Sequence, residues 1–124
     1  MLFRSYEESL RYYDEALQRY VRCHGTGHAS VAATESNIGN VLSAQGDYEG
    51  ALVHLKRALE IDLKTVGPHH ASVASTYNNM GNVYESLGKY DDALDVFQKS
   101  LDIKVRCFVD MWMLPRLIIT SGVF

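Results

Sequence analysis

The sequence predicts an all-α protein made of stacked helix hairpins, and a 42-residue period is the main observation behind this prediction. Laying residues 25–66 over residues 67–108 gives 17 identities in 42 positions, whereas average residue usage gives about two or three. Within each copy the apolar residues recur at helical spacing, and glycines separate the helical stretches. The same register continues upstream, where residues 4–23 match the second half of a copy.

Each copy divides into two predicted helices, which we name helix A and helix B in chain order. In the last copy, helix A covers residues 70–87 and helix B covers residues 90–106, with a short turn at Gly88 between them. Apolar residues at steps of three and four define one face of each helix. These residues are Val73, Tyr77, Met80, Tyr84 and Leu87 in helix A, and Tyr90, Ala93, Leu94, Phe97 and Leu101 in helix B. With the half copy at the amino end, the predicted order is B, A, B, A, B.

The segments before helix A carry the signals of a helix start. They read Gly-Thr-Gly-His-Ala-Ser from Gly25 and Gly-Pro-His-His-Ala-Ser from Gly67. Glycine and proline interrupt the preceding helix, and a serine hydroxyl can accept a hydrogen bond from the free N–H groups of the first turn. The sequence therefore predicts Ser30 and Ser72 as capping residues.

Gly39 and Gly81 lie inside the two helices A, where glycine costs about 0.5–1 kcal/mol relative to alanine. A close approach of helix B at Ala51 or Ala93 would offset this cost, with larger side chains filling the flanks. The larger side chains are Leu52 and Leu55 in one copy, and Leu94 and Phe97 in the next. We therefore expect each hairpin to pack around its glycine.

The last copy contains the motif Tyr77-x-x-Met80-Gly81-x-x-Tyr84, followed by Gly88, Tyr90 and Ala93-x-x-x-Phe97. This motif resembles the tetratricopeptide repeat. That repeat normally has about 34 residues, and the longer period here, with His-x-x-Val-Ala-x-Thr-x-x-Asn-x-Gly-Asn, looks like the repeat of kinesin light chains. The resemblance implies a right-handed α-solenoid with helix A on its concave face. The copy at residues 25–66 departs from the motif, since Glu35 and Leu42 occupy positions that favour aromatic residues.

The resemblance places the polar positions of helix A on the concave face, where they predict a peptide-binding groove. These residues are Ser36, Asn37, Asn40, Ser43, Ser75, Asn78, Asn79, Asn82 and Glu85. Asparagine is a poor helix former, but its amide both donates and accepts hydrogen bonds, as the backbone of an extended peptide requires. In the alternative interpretation, Asn37 and Asn79 bond across to neighbouring helices and fix the stack.

The charged residues of helix A indicate which peptides the groove should bind. Residues 28–45 and 70–87 contain no lysine or arginine, so the basic clamp with which related proteins hold an acidic peptide terminus is missing. We expect the groove to prefer neutral or basic extended peptides. The basic residues lie on helix B, where they predict a solvated outer face: Lys56, Arg57, Lys64, Lys89, Lys99, Lys104 and Arg106.

Other classes of function have little support in the sequence. A net charge of −3 lacks the basic surplus of a nucleic-acid binder, and no apolar run reaches the ~18–20 residues of a membrane span. His28 and His70 are equivalent helix-start positions, and no catalytic or phosphate-binding motif is present. We expect a non-catalytic chain with no cofactor, metal site, nucleic-acid partner or membrane contact. Free thiols at Cys23 and Cys107 suit the cytoplasm, with cytoskeletal association if the kinesin-light-chain likeness extends to function.

The predicted organisation is one repeat domain followed by a divergent apolar tail. The units are residues 4–107 for the domain, with a half repeat at 4–23 and repeats at 25–66 and 67–107, and residues 108–124 for the tail. The tail is either a cap anchored by Trp112 and broken at Pro115, or a truncated end. We favour the truncated end because a cap should present a polar outer face, and Leu117–Thr120 adds an aggregation-prone segment.

The sequence thus predicts a scaffold that binds extended peptide segments of partner proteins along helix A, similar to the cargo-binding repeats of kinesin light chains. The alternative is a structural, self-assembling fragment of a longer repeat protein with no groove of its own. Solenoids generally need at least three repeats to bury a continuous core. We therefore expect modest stability or self-association through uncapped ends.

Overall fold

The computed structural model describes residues 2–112, and the side chains of residues 5–109, as a succession of α-helices. These helices are α1 (Leu2–His24), α2 (Ala29–Ala44), α3 (Tyr48–Thr65), α4 (Ala71–Ser86) and α5 (Tyr90–Trp112). No strand occurs over residues 2–112, and the all-α class is confirmed. Residues 108–112, predicted as the start of the tail, continue α5. Pro115 and Leu117–Thr120 lie outside the described residues, as does the side chain of Trp112.

The helices stack as two successive hairpins. α2 packs against α3 and α4 packs against α5, so each copy forms one helix A–helix B pair. α4 also packs against α3 and contacts α2, and α1 packs against α2. Consecutive copies therefore join through helix B of one and helix A of the next, which is the arrangement of an α-solenoid.

Glycines close the hairpin turns. Gly46 and Gly88 have φ angles of 90° and 78°, a left-handed conformation that glycine adopts without a steric penalty. After Gly46, the backbone N–H of Asp47 donates to the carbonyl oxygen of Leu42 at 2.9 Å, as in a Schellman motif. Asp47 then caps α3 by accepting a hydrogen bond from the backbone N–H of Gly50 at 3.1 Å.

Histidines, not the predicted serines, cap the two helices A. Nδ1 of His28 accepts the backbone N–H of Ser30, and Nδ1 of His70 accepts that of Ser72, each at 3.1 Å. The prediction of serine caps is therefore wrong. Each histidine is the N-cap residue, directly before its helix. Its acceptor nitrogen therefore reaches a backbone N–H of the first turn that has no partner within the helix.

The apolar core lies inside the hairpins and between them. One buried cluster consists of Ala51, Leu52, Leu55, Met80, Val83 and Val96, and a second consists of Val73, Ala74 and Ile103. The first cluster draws on α3, α4 and α5, so it holds the two copies together as well as the second hairpin. A hydrogen bond from Ser100 Oγ to the carbonyl oxygen of Ala74, at 2.8 Å, adds a buried polar link between α5 and α4.

Gly39 and Gly81 are points of very close approach within the hairpins. A Cβ added to Gly39 would lie 2.9 Å from Leu55 Cγ and 3.1 Å from the carbonyl oxygen of Ala51, and one added to Gly81 would lie 2.5 Å from Phe97 Cε1. The predicted packing around glycine is confirmed. The atoms nearest Gly81 belong to the ring of Phe97 rather than to the expected alanine, so glycine here makes room for a large side chain.

Leu94 departs from the prediction that it fills a flank of the second hairpin, since it is 67% exposed. Its equivalent, Leu52, is only 8% exposed and packs in the cluster that includes Met80 and Val83 of α4. Within the described residues no later helix A covers α5 in the same way. Leu94, Leu101 and Val105 therefore lie at the surface.

The junction between the copies contains a buried carboxyl group, Asp62 of α3. Burial raises the pKa of Asp62 above its ordinary value, while a hydrogen bond with Ser72 and the electrostatic interaction with His70 act in the opposite direction. Ser72 and His70 belong to the start of α4, so this carboxyl couples the end of one copy to the beginning of the next.

The close contact at Gly81 predicts that a larger side chain at this position lowers the stability of the chain. Gly81→Leu should lower the melting temperature by at least about 5 °C, because overpacking costs about 1–3 kcal/mol. Asn82→Leu, at the adjacent exposed position, should shift it by no more than about 2 °C. Equal melting temperatures for the two variants, measured by circular dichroism, would contradict the hairpin packing described above.

The raised pKa of Asp62 predicts a pH-dependent effect on stability. The favourable contribution of the neutral carboxyl is complete below the ordinary pKa of 3.8 and is lost as the pH rises through the folded-state pKa. Asp62→Asn keeps an acceptor for Ser72 without the buried charge, so it should raise the melting temperature at pH 7, by up to about 4 °C.

The gain from Asp62→Asn should vanish below pH 3.8. The exposed Asp14→Asn variant serves as the control and should leave the melting temperature nearly unchanged at both pH values. A lower melting temperature for Asp62→Asn than for the unmodified chain at pH 7 would show that the charged form stabilises the junction.

Candidate functional site

The predicted groove residues lie on α2 and α4, the two helices A, which contact each other in the stack. None of these residues is buried. The exposed members are Asn37, Asn40, Ser75, Asn82 and Glu85, and the half-buried members are Ser36, Ser43, Asn78 and Asn79. Most of them follow one another at spacings of three and four residues, so they form a polar strip along each helix.

We refer to Asn37, Asn40, Asn78, Asn79 and Asn82 as the asparagine row. Within the described part of the chain, none of their side-chain amides makes a hydrogen bond with another protein group. The bonds that the alternative interpretation requires of Asn37 and Asn79 are thus absent from this part. The amides have both their donors and their acceptors available to solvent or to a ligand.

The surface around the asparagine row has no positive charge of its own. Neither α2 nor α4 contains a lysine or an arginine, and Glu85 is an exposed acid on α4. Glu35, the acid on α2, is buried. The row therefore offers neutral hydrogen-bonding groups beside a carboxylate, which suits a neutral or basic ligand better than an acidic one.

A cavity of about 270 Å³ lies next to Asn37 at the α1 side of the stack. Its lining residues are Tyr12, Tyr13, Ala16, Tyr20, Ser30, Ala33, Thr34 and Asn37. These tyrosines were not predicted as site residues from the sequence, although their spacing along α1 is helical. In α3 the positions equivalent to Tyr13 and Ala16 are Leu55 and Ala58, which are fully buried.

A second cluster of polar side chains surrounds Glu35, which is only 4% exposed. Its Oε2 lies 3.2 Å from Nδ1 of His54 and 3.9 Å from Nη1 of Arg57. Both partners belong to α3, so the group links the two helices of the first hairpin. The repeat pattern marks Glu35 as a departure from the motif but does not predict its partners. Arg57, predicted on a solvated face, is 60% exposed, and its guanidinium turns toward Glu35.

The second copy has a different set of residues at the same positions. Tyr77, Val96 and Lys99 stand where the first copy has Glu35, His54 and Arg57. Tyr77 packs against both buried clusters, and Lys99 Nζ lies 5.7 Å from the centre of its ring, within cation–π distance. An aromatic ring beneath a cation thus replaces a carboxylate held by an imidazole and a guanidinium.

His24, His28 and Cys107 have contacts within the protein. The rings of His24 and His28 stack at 4.3 Å, and Cys107 Sγ donates to the carbonyl oxygen of His69 at 3.4 Å. Cys23 and Cys107 are free thiols. Over the described residues there is no group of three or more side chains able to hold a metal ion, and no described helix is long and apolar enough to cross a membrane.

Stacked helix hairpins with a repeated polar surface define this chain as a helical repeat scaffold of the α-solenoid class. A family model for the tetratricopeptide repeat matches residues 3–64 and also residues 30–104. The chain belongs to the tetratricopeptide repeat family, whose members generally serve as non-catalytic scaffolds for protein interactions.

Solved structures show the same fold. BtubC (BKLC) from P. vanneervenii superposes with a TM-score of 0.78 at 25% sequence identity, over 82% of this chain and 40% of that one. A kinesin-light-chain-like protein with nearly identical TPR-like repeats, from Podosopora anserina, gives a TM-score of 0.73 at 17% identity, over 82% of this chain and 48% of that one. This chain thus covers less than half the length of either protein. No curated protein sequence matches it.

Proposed function

We propose that the chain is a non-catalytic scaffold that binds extended peptide segments of partner proteins along the helix A surface. The asparagine row carries this proposal. It repeats in both copies, is exposed or half-buried, and makes no hydrogen bond with other described protein groups. An extended peptide presents N–H and C=O groups along its backbone, and an asparagine amide can satisfy either. A surface of this kind binds the backbone with little dependence on peptide sequence.

The charge of the helix A surface determines which peptides we expect it to prefer. Glu85 is exposed and α2 and α4 contain no lysine or arginine, so an acidic peptide finds no counter-ion there, whereas a basic peptide can pair with the carboxylate. The ligand we propose is therefore a neutral or basic segment. This preference separates the chain from family members that capture an acidic terminus with basic side chains.

Similarity to kinesin-light-chain repeats supports a role in holding partner proteins, and cargo binding is part of the proposal. The peptide-binding unit would be the repeat domain at residues 4–107, with residues 108–124 outside it. Free thiols at Cys23 and Cys107 support a cytoplasmic location.

A second candidate function is assembly through the exposed face of α5. Leu94, Leu101 and Val105 are between 52% and 67% exposed, although the equivalent Leu52 is covered by the next copy. In this alternative the chain joins further repeats or a second copy through α5, and the asparagine row has no ligand.

Peptide titration distinguishes the two functions. Neutral and basic extended peptides should bind more tightly than an acidic peptide of equal length at the same salt concentration. In the Asn40→Ala, Asn82→Ala double variant the affinity should fall about tenfold, because each lost hydrogen bond to a peptide contributes about 0.5–1.5 kcal/mol.

Two controls test whether the loss of peptide affinity is specific to the asparagine side chains. The double variant should keep or slightly raise its melting temperature, since alanine is the better helix former, and Gln98→Ala on α5 should bind peptide normally. Tighter binding of the acidic peptide, or unchanged affinity in the double variant, would contradict the proposal. A mass of two or more chains by light scattering, without peptide binding, would favour assembly instead.

A further inference from the structure

The surface of α5 carries a row of apolar side chains, which we name the α5 stripe: Tyr90, Leu94, Leu101 and Val105. They are between 52% and 67% exposed, and their spacing of four, seven and four residues places them on one side of the helix. A continuous exposed apolar row marks a contact surface, unlike single apolar residues scattered over a protein. The predicted groove residues lie on α2 and α4, so the α5 stripe is separate from the asparagine row.

The equivalent face of α3 is covered by a helix. The residues 42 positions before the first three members of the stripe are Tyr48, Leu52 and Leu59. Leu52 shares a buried cluster with Met80 and Val83 of α4, and Tyr48 and Leu59 pack against that cluster. This face of helix B is thus suited to packing against another helix.

A further helix of the α4 type would not suit α5, because one charge is reversed. At the junction between the copies, the Asp62 carboxyl lies beside the start of α4 and hydrogen-bonds with Ser72. The residue 42 positions after Asp62 is Lys104, whose ammonium group donates hydrogen bonds and accepts none. A helix start carries free N–H donors and the positive end of the helix dipole. A helix placed on α5 as α4 lies on α3 would therefore bring its positive end against a cation.

The spacing of the α5 stripe reads the same from either end. Two α5 helices can lie antiparallel about a two-fold axis that passes between residues 97 and 98. Tyr90 then faces Val105 of the second copy, and Leu94 faces Leu101 of the second copy. All four positions meet an apolar side chain, so the stripe is complementary to itself.

The charges of α5 favour this antiparallel arrangement over a parallel one. Acids occupy the first turns and bases predominate later, since residues 98–108 include a single acid, Asp102. The acids of the first turns and the later bases are Asp91, Asp92 and Asp95, then Lys99, Lys104 and Arg106. Antiparallel helices about 8–10 Å apart bring the acidic half of each beside the basic half of the other, within the Debye length of about 8 Å at physiological salt or close to it. A parallel pair would bring like charges together.

We propose that a second copy of this chain covers the α5 stripe, so that two copies form a dimer through antiparallel α5 helices. Each copy contributes the same surface, and this type of interface closes at two chains. The proposal rests on the assembly function considered above and names its partner. The stripe spans only about 22 Å, which gives an interface at the low end of the specific size range. The dimer should therefore dissociate on dilution.

Light scattering on the intact chain tests the proposal. The unmodified protein should have twice the mass of one 14.0 kDa chain at about 500 µM and approach the mass of one chain below about 5 µM. The Leu94→Asp, Leu101→Asp variant should have the mass of one chain at both concentrations, because carboxylates would face each other across the axis. Val53→Asp changes an apolar residue of α3 that is 49% exposed, and it should dimerise normally.

Circular dichroism should show both variants folded, since all three residues are exposed. A mass of one chain for the unmodified protein at about 500 µM would overturn the proposal and leave the stripe to a different polypeptide. A dimer retained in the Leu94→Asp, Leu101→Asp variant would overturn it as well.

Disulfide trapping tests the antiparallel direction. In a chain with Cys23→Ser and Cys107→Ser, Gln98→Cys lies closest to the two-fold axis and should link two copies when oxidised glutathione is added. Val105→Cys should not link to its own counterpart, which lies about 22 Å away along the helix. Lys56→Cys, at the equivalent position of α3, is the matched control and should not link. Equal linkage through Gln98→Cys and Val105→Cys, or none through Gln98→Cys, would contradict the antiparallel dimer.

Peptide titration separates this proposal from peptide binding by the asparagine row. The Leu94→Asp, Leu101→Asp variant should bind peptides as the unmodified chain does, and the Asn40→Ala, Asn82→Ala variant should still dimerise. Loss of dimerisation in the asparagine variant would overturn the assignment of the interface to α5. Failure of peptide binding in the unmodified chain would leave the dimer to be judged by its mass and its disulfide links.

Discussion

Both hairpins depend on the absence of a side chain at one position of helix A. At Gly39 and Gly81 the partner helix approaches so closely that an added Cβ would overlap Leu55 or Phe97. This contact fixes which face of helix A turns toward helix B. The asparagine row lies on the parts of helix A that remain outside the buried core.

Stacking of the copies uses a second set of contacts and leaves the polar surface of the two helices A exposed. Helix B of one copy packs on helix A of the next, which buries Leu52 and places the Asp62 carboxyl beside the start of α4. The asparagine row is repeated in both copies, so it suits a ligand that runs along the stack.

The sequence predicted the features that depend on period and pattern: the all-α class, the order of helices and the glycine contacts. It did not predict features that depend on three-dimensional placement. The histidine caps require a loop conformation that brings Nδ1 to a free N–H. The exposure of Leu94 depends on what covers α5, and the partners of Glu35 lie 19 and 22 positions away, where only helix packing brings them together.

The asparagine amides make no hydrogen bond with other described protein groups, and we propose that they contact a bound peptide. The most direct measurement follows their side-chain NH₂ resonances by NMR while a neutral extended peptide is added. The account predicts shifts for Asn40 and Asn82 and none for Gln98, which lies on α5 and bonds to Asp102. Saturable peptide binding that shifts Gln98 and leaves both asparagines unchanged would contradict it.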